Sequence, residues 1–257
     1  MLSDEDEAYL VKELVGGRCT LQYSEEDPST LERVVAVANV MLSWDETGFG
    51  RSALHAEDGL LSMGLYASET EEPESGGRSN PPSPKERRVL YQIGRIDEAN
   101  GTKKPKLALH IPGTKRKTGE TPQAGLERVL SAELLPFKDH MRFEGSERVV
   151  NQKDGTQTLK MRTKTVKTVY KATLTSWPEQ IESRRVEFPD LPGLRKNMRH
   201  QDLLLLPQSS NQVGLYAFLQ PKLYATIESA SRADSMKKWI ASLDVGTLPP
   251  RWESFEA

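Results

Sequence analysis

The sequence of 257 residues contains a single cysteine, Cys19. One thiol cannot form an internal disulfide or a multi-cysteine zinc site, and this usage is typical of a reducing compartment. The chain also lacks any run of about 18 consecutive apolar residues, so no membrane-spanning helix is predicted. Its acidic first residues lack the basic and apolar regions of a signal peptide. We therefore expect a cytoplasmic location and no membrane association.

Neither sign of charge dominates: the chain has 35 lysines and arginines and 37 acidic residues, which gives a net charge of −2. This balance gives no global attraction for nucleic acid. Lys160, Arg162 and Lys164 do place three cations on one face of a predicted strand. A single-strand binder would also interleave aromatic residues for stacking, whereas lysines on an edge strand commonly prevent sheet-to-sheet pairing. Nucleic acid is therefore not an expected partner.

The composition changes most clearly over residues 68–86, SETEEPESGGRSNPPSPKE. This segment is rich in Pro, Gly, Ser and Glu and has no aromatic residue, which is typical of a disordered linker or long loop. We predict an N-terminal extension over residues 1–67 and the main domain over residues 87–257. Residues 28–44 of the extension predict a helix, because apolar residues recur at helical spacing: Leu31, Val34, Val35, Ala38, Met41 and Leu42.

The main domain shows alternating strand and helix patterns. Strands are predicted over residues 88–96 and 106–111, and a hairpin joins residues 147–150 to residues 157–174. Residues 203–206 predict a short buried strand or a turn. The pair Asp154-Gly155 supplies the hairpin turn. Residues 227–243 predict a final helix with one apolar face. This order predicts a mixed α/β (α+β) fold.

Residues 107–136, LALHIPGTKRKTGETPQAGLERVLSAELLP, are the most informative segment. A strand-like run reaches a loop at Pro112-Gly113. Thr121 is placed to cap a helix, and Pro122 suits the first helical position, where the missing N–H costs nothing. An apolar stripe at four-residue spacing would then face the core, formed by Leu126, Leu130 and Leu134.

This segment resembles the Nudix box, in which a PGG turn and a GET(P) loop precede a helix carrying RExxEE. Seven residues separate Glu120 from Arg128, as the family pattern requires. The resemblance implies a Nudix-like α/β/α sandwich with a mixed sheet. Gly113, Gly119, Glu120 and Arg128 would form the structural part of the box, with Glu120 and Arg128 joined by charge-assisted hydrogen bonds. The alternative is a capped amphipathic helix in another α/β or α+β domain.

The departures from the pattern concern the metal site. The family helix uses its glutamates to hold Mg²⁺ or Mn²⁺ against a diphosphate, but Val129 and Ala132 stand at the first two positions here. Only Glu133 is kept, as the residual catalytic residue and the sole box ligand for a metal. Since Mg²⁺ requires several oxygen ligands, we expect it to bind weakly or not at all. An alternative is that Glu144, Glu147 or Asp154 rebuilds the site from a loop.

The loop after Gly113 carries three consecutive cations, Lys115, Arg116 and Lys117. In a Nudix-like fold this loop lies near the substrate phosphates, so the cluster is a candidate for phosphate binding without metal. The alternative is a solvated loop, as most charge runs are.

Three functions remain open. The first is a binding or regulatory module with a degenerate active site, which would recognise a nucleotide, a diphosphate or a protein partner. The second is an active, divergent hydrolase that cleaves nucleoside diphosphate derivatives with Mg²⁺. The third is a structural or interaction subunit of a larger assembly. Metal-dependent turnover separates the first two.

Overall fold

The computed structural model describes residues 4–44, 87–99, 102–153, 161–181, 183–191, 194, 198–209, 211–230 and 234–243. The helices among them are α1 (Asp4–Val15), α2 (Pro122–Ala132), α3 (Pro221–Ala230) and α4 (Asp234–Ser242), with a 3-10 helix at Leu135–His140. The strands are β1 (Thr20–Tyr23), β2 (Leu31–Trp44), β3 (Arg88–Ala99), β4 (Thr102–His110), β5 (Gly113–Lys115), β6 (Met141–Lys153), β7 (Thr163–Leu174), β8 (Ser183–Glu187), β9 (His200–Ser209) and β10 (Gln212–Leu219).

The strands form one mixed sheet in the order β6-β7-β2-β3-β10-β9-β8. Strands β1 and β5 also pair with β2, and β4 pairs with β3. The pair β2–β7 is parallel, and the other described pairs are antiparallel. Since β2 contacts four other strands, it organises the centre of the sheet.

Helices cover both faces of the sheet. Leu204 and Leu206 of β9 pack in the same core cluster as α2, whereas Leu203 and Leu205 pack with α3 and α4. Successive side chains on a strand point to opposite faces, so the two clusters lie on opposite sides. The predicted fold class is confirmed: the chain forms an α/β/α sandwich around a mixed sheet.

Helix α1 docks on the sheet through a small cluster of its own. Leu10 packs with Cys19 and Val35, all of them buried. Glu13, also buried, forms ion pairs with Arg33 and with Lys115. Burial opposes ionisation of Glu13, but hydrogen bonds from these two cations keep its pKa below the usual value. This buried ion-pair cluster ties α1 to β2 and β5.

The helix predicted over residues 28–44 is wrong, because most of this segment is strand β2. The helical spacing of its apolar residues arises from burial on both faces. Ala38, Val40 and Leu42 face α2, and Val35 packs with α1. A strand covered on both sides need not alternate between apolar and polar residues, and its β-branched valines favour extended backbone.

The extension predicted over residues 1–67 is not separate from the sheet where the structure describes it. β2 pairs with β7 over residues Arg33 to Ser43 and with β3 at its end. The described N-terminal residues therefore contribute the central strand of the sheet. The linker predicted over residues 68–86 lies outside the described residues.

Most strands of the main domain are confirmed in type and extended in length. β3 covers the strand predicted over residues 88–96, and β4 covers all but the last residue of the strand predicted over 106–111. Residues 203–206, predicted as a strand or a turn, lie in β9. β6 and β7 form the predicted hairpin, whose turn lies outside the described residues. β10 was not predicted. Two helices, α3 and α4, replace the single final helix. Among the described residues, no helix is long and apolar enough to cross a membrane.

Candidate functional site

The start of α2 forms as its sequence predicts. Thr121 has extended backbone angles, and its hydroxyl accepts a hydrogen bond of 3.1 Å from the Ala124 N–H. Pro122 fills the first turn, where it removes only a donor that the helix leaves unpaired. The buried face of α2 includes Leu126, Val129 and Leu130. This face fixes the helix against the sheet and thereby places the residues at its two ends.

Arg128 joins α2 to the preceding loop. Its Nε and Nη2 atoms donate to the two carboxylate oxygens of Glu120 at 3.1 Å and 2.9 Å. The same guanidinium donates to the Thr114 hydroxyl and to the Lys115 carbonyl, each at 2.7 Å. The hydrogen bonds from Arg128 are the main cause of the lowered pKa of Glu120. The pair therefore acts as a planar, bidentate bracket that closes the loop.

Two glycines of the box meet different constraints. Gly119 has φ +79°, a left-handed conformation that favours glycine, and the space beside it is open. Gly113 instead requires close approach, because a Cβ there would lie 2.8 Å from the Ala38 carbonyl oxygen and would also clash with Asn39. Gly113 thus lets β5 pack directly against β2.

Glu133, at the C-terminal cap of α2, directs its carboxylate inward. Oε2 accepts hydrogen bonds from the Gly113 N–H at 3.2 Å and from the Tyr216 hydroxyl at 3.4 Å. Tyr216 is fully buried, and its hydroxyl also accepts a hydrogen bond of 2.7 Å from Gln208 Nε2. Burial raises the pKa of Glu133 to about 7, although both hydrogen bonds act in the opposite direction. We call this chain of side chains, Gln208–Tyr216–Glu133 with the Gly113 N–H, the Glu133 latch.

The other positions of the family's metal site do not supply ligands. Val129 is 1% exposed and packs in the core, and Ala132 is exposed but has no side-chain oxygen. Glu133 is engaged in the latch. Within the described part of the chain, no group of three or more His, Cys, Asp or Glu residues is arranged to hold a metal. The residues present therefore do not fit the Mg²⁺ that the resemblance implies.

The acids considered as replacement ligands are engaged elsewhere. Glu144 and Glu147 lie on β6 rather than in a loop. Glu144 pairs with Arg87 at 3.1 Å, and Glu147 pairs with Lys171 at 2.6 Å. Asp154 lies outside the described residues. The structure does not bring Glu144 or Glu147 together with Glu133.

The basic cluster does not form one surface. Lys115 lies in β5 rather than in a loop and pairs with Glu13 under α1. Arg116 extends along Gly125 of α2, on the other face of the sheet, and its buried Nε atom has no hydrogen-bond partner among the described residues. Lys117 is exposed, and its backbone N–H donates to Glu120 at 2.7 Å. The three consecutive cations therefore lie apart: Lys115 on the α1 face of the sheet, Arg116 on the α2 face and Lys117 in solvent.

The sequence did not point to Tyr216 or Gln208, which complete the Glu133 latch. Both belong to the β9–β10 hairpin, and only part of β9 was predicted. Tyr216 lies 83 residues after Glu133, so the contact depends on the sheet order rather than on a local pattern. The run VGLYAF, with an aromatic residue between apolar neighbours, was the one available signal for a buried strand.

A concave feature lies at the end of β2, on the α2 face. It is lined by Trp44, Arg88, Trp177, Asp202, Leu204 and Phe218. The rings of Trp44 and Trp177 lie 5.2 Å apart and tilt against each other, so they fill most of the space between them. This feature is a packed aromatic cluster rather than an open site.

Comparison with known proteins adds no support for a particular family or activity. No protein-family model matches the chain, and the search of curated proteins gave no match. Among solved structures, the chain aligns with a Nudix hydrolase from M. Smegmatis, RenU, over 84% of this chain and 96% of that one. The identity is 12% and the TM-score is 0.29. A similarity of this size says nothing about activity.

Proposed function

We propose that this chain is a Nudix-like domain that binds a nucleotide or another diphosphate-containing ligand without metal-dependent hydrolysis. It would act as a binding or regulatory module. The observation that carries the proposal is the inward direction of the half-buried Glu133 carboxylate, which accepts hydrogen bonds from the Gly113 N–H and the Tyr216 hydroxyl. The structural half of the box is intact at Glu120 and Arg128.

The electrostatics of Glu133 support this proposal. With a pKa of about 7, the carboxyl is only partly ionised near neutral pH. A hard cation prefers ionised oxygen ligands, usually one or two carboxylates together with substrate phosphates and waters. One partly neutral carboxyl beside Val129 and Ala132 does not meet that requirement. Metal ions supply much of the charge stabilisation in related reactions, so we expect the reaction rate to be low.

For the ligand, the exposed end of the loop offers the most suitable contact. Lys117 is exposed at the N-terminal end of α2, beside the open space at Gly119. Backbone dipoles at such a helix end favour anions, and a lysine adds a point charge for phosphate. Lys115 and Arg116 would contribute little, because one is paired with Glu13 and the other packs along α2.

Equilibrium binding of ADP-ribose and of a nucleoside diphosphate tests this proposal. Each should bind with the same dissociation constant in Mg²⁺ and in a metal chelator. Lys117→Ala should weaken binding about threefold to tenfold, the loss of one charged contact of about 1 kcal/mol. Lys138→Ala, an exposed lysine on the 3-10 helix, is the matched control. Absence of binding would reject the ligand, and a strict Mg²⁺ requirement would reject the metal-free mode.

The second candidate is an active, divergent hydrolase. One observation favours it, because a carboxyl with a pKa near the working pH suits a general base. Glu133 would then remove a proton from an attacking water instead of holding the Tyr216 hydroxyl. Turnover that disappears in Glu133→Gln, while binding remains, would favour this candidate.

A further inference from the structure

Strand β6 leaves one long edge of the sheet without a described partner. It runs for 13 residues at the end of the strand order and, among the described strands, pairs with β7 alone. If a helix covered one face of β6, its residues would alternate in burial; instead the eleven residues other than Met141 and Val149 are all exposed. Such an edge offers a row of backbone donors and acceptors to another strand.

The opposite edge of the sheet is different. β8 has only five residues, Ser183–Glu187, and a short edge strand gives an incoming strand little to pair with. β6 has one interruption, a register shift between Phe143 and Gly145. Beyond it, residues Glu147 to Lys153 pair with β7 without a break. This regular stretch of seven residues is the segment available for pairing.

If β6 pairs with β6 of a second copy of the chain, the charged residues between Glu147 and Lys153 favour one register over the others. In an antiparallel pair about a two-fold axis perpendicular to the sheet, residues of the same face must lie opposite each other. An axis at Glu147 or Arg148 would place like charges directly opposite. With the axis at Val149, Glu147 lies opposite Asn151 and Arg148 lies opposite Val150. Neither charged side chain then faces one of opposite sign.

An axis at Val150 gives a complementary arrangement. Glu147 then lies opposite Lys153 of the second copy, and the same contact occurs twice because of the symmetry. Arg148 lies opposite Gln152, and Val150 lies opposite itself. Val150 is 48% exposed in the isolated chain, so pairing would bury an exposed apolar side chain at the centre of the contact. Opposite charges directly across a strand pair stabilise it, and like charges destabilise it.

We propose that β6 pairs antiparallel with β6 of a second copy of this chain, about a two-fold axis at Val150, so that the two sheets join into one. The occupant is a second copy because the segment from Glu147 to Lys153 is complementary to itself in charge. A contact confined to one strand pair is small beside stable protein interfaces, so the dimer forms in a concentration-dependent way. This inference does not depend on the ligand proposed above.

Charge reversal tests the register. Sedimentation velocity over a range of concentrations should show a monomer–dimer equilibrium for the unmodified chain. Lys153→Glu should weaken the dimer about tenfold, since two cross-strand pairs become repulsive, and Glu147→Lys should act similarly. The double variant should restore most of the affinity. Lys237→Glu on α4, an exposed lysine elsewhere, should leave the equilibrium unchanged.

A cross-linking pair tests the same axis without relying on charge. Residues directly opposite in an antiparallel pair have Cα atoms about 4.5–5.5 Å apart, within disulfide range. Val150→Cys should therefore form a covalent dimer under mild oxidation. Arg148→Cys should not, because the two copies of that position would lie about 14 Å apart. The native Cys19 is buried and does not compete.

A monomer at every concentration would overturn this proposal. So would a dimer that neither charge reversal weakens, or one in which Arg148→Cys cross-links as readily as Val150→Cys. Rescue of the dimer in the double charge variant, together with selective cross-linking at position 150, would establish both the edge and its register.

Discussion

The Tyr216 hydroxyl donates a hydrogen bond of 3.4 Å to the Glu133 carboxylate, although the two residues lie 83 positions apart in the chain. This contact connects the C-terminal end of α2 to β10 and continues to the Gly113 N–H. The acid that remains from the RExxEE pattern is therefore part of the internal structure. The pKa of Glu133 is determined by the burial of its carboxyl group, not by its position in the RExxEE pattern.

The Glu133 latch predicts a pH dependence of stability. The pKa of Glu133 is about 7 in the folded chain, against 4.5 when it is unperturbed. Because the folded pKa is raised, this contribution to stability is fully present below pH 4.5 and is lost as pH rises through 7. Between these two limits the free energy of unfolding falls by about 3–4 kcal/mol, at about 1.4 kcal/mol for each pH unit between 4.5 and 7.

Glu133→Gln should remove that dependence, because the amide keeps an acceptor for Gly113 and has no charge to bury. Denaturant titration at several pH values measures the free energy of unfolding of both proteins. Between about pH 5 and pH 8 this free energy should fall more in the unmodified chain than in Glu133→Gln. Parallel curves for the two proteins would show that Glu133 is not the titrating group.

The Arg128 bracket predicts a second loss of stability. Arg128→Ala removes the partners of Glu120, Thr114 and the Lys115 carbonyl, and should lower the free energy of unfolding by about 1–3 kcal/mol. Arg128→Lys keeps the charge but loses the bidentate geometry, so it should recover only part of that loss. Unchanged stability together with lost ligand binding would instead indicate a direct role of Arg128 in the site.

The ion pairs of Glu13 predict that α1 is needed for stability. Glu13→Ala leaves Arg33 buried without its carboxylate partner, and removal of one member of a buried pair costs about 3–5 kcal/mol. Glu7→Ala, on the exposed side of the same helix, should change stability by less than about 0.5 kcal/mol. Thermal unfolding monitored by circular dichroism compares the two, and similar midpoints would argue against the docking of α1.

The place of β2 predicts the outcome of truncation. A chain that begins at Lys85 lacks the strand that pairs with β3, β5 and β7, so it should not fold alone. Mixing it with a separately produced fragment of residues 1–84 should restore the near-ultraviolet circular dichroism of the folded protein. A soluble, cooperatively folded chain beginning at Lys85 would show that the sheet tolerates the loss of β2.

The sequence predicted the parts of the site that are local in the chain. The Thr121 cap, the Pro122 position and the pairing of Glu120 with Arg128 lie within nine residues. The first two follow from helix geometry, and the pairing was implied by the resemblance to the Nudix box. The fold class was also predictable, because the strand and helix patterns alternate.

The sequence did not predict features that depend on neighbours distant in the chain. β2 has the apolar spacing of a helix because α1 and α2 cover its two faces, which no local pattern reveals. The three cations from Lys115 to Lys117 read as one cluster in sequence. Lys115 ends β5, and the Arg116 N–H extends the pairing with β2 by donating to the Ala36 carbonyl, so these two successive side chains point to opposite faces.

We predict that the unmodified chain hydrolyses ADP-ribose, dinucleotide polyphosphates and nucleoside triphosphates at a rate near background. The most direct test is the rate of product release from these compounds at saturating Mg²⁺, with Glu133→Gln assayed in parallel. The predicted result is the same low rate for both proteins and no dependence on Mg²⁺. Robust Mg²⁺-dependent turnover that Glu133→Gln abolishes would contradict the account and establish the chain as an active hydrolase.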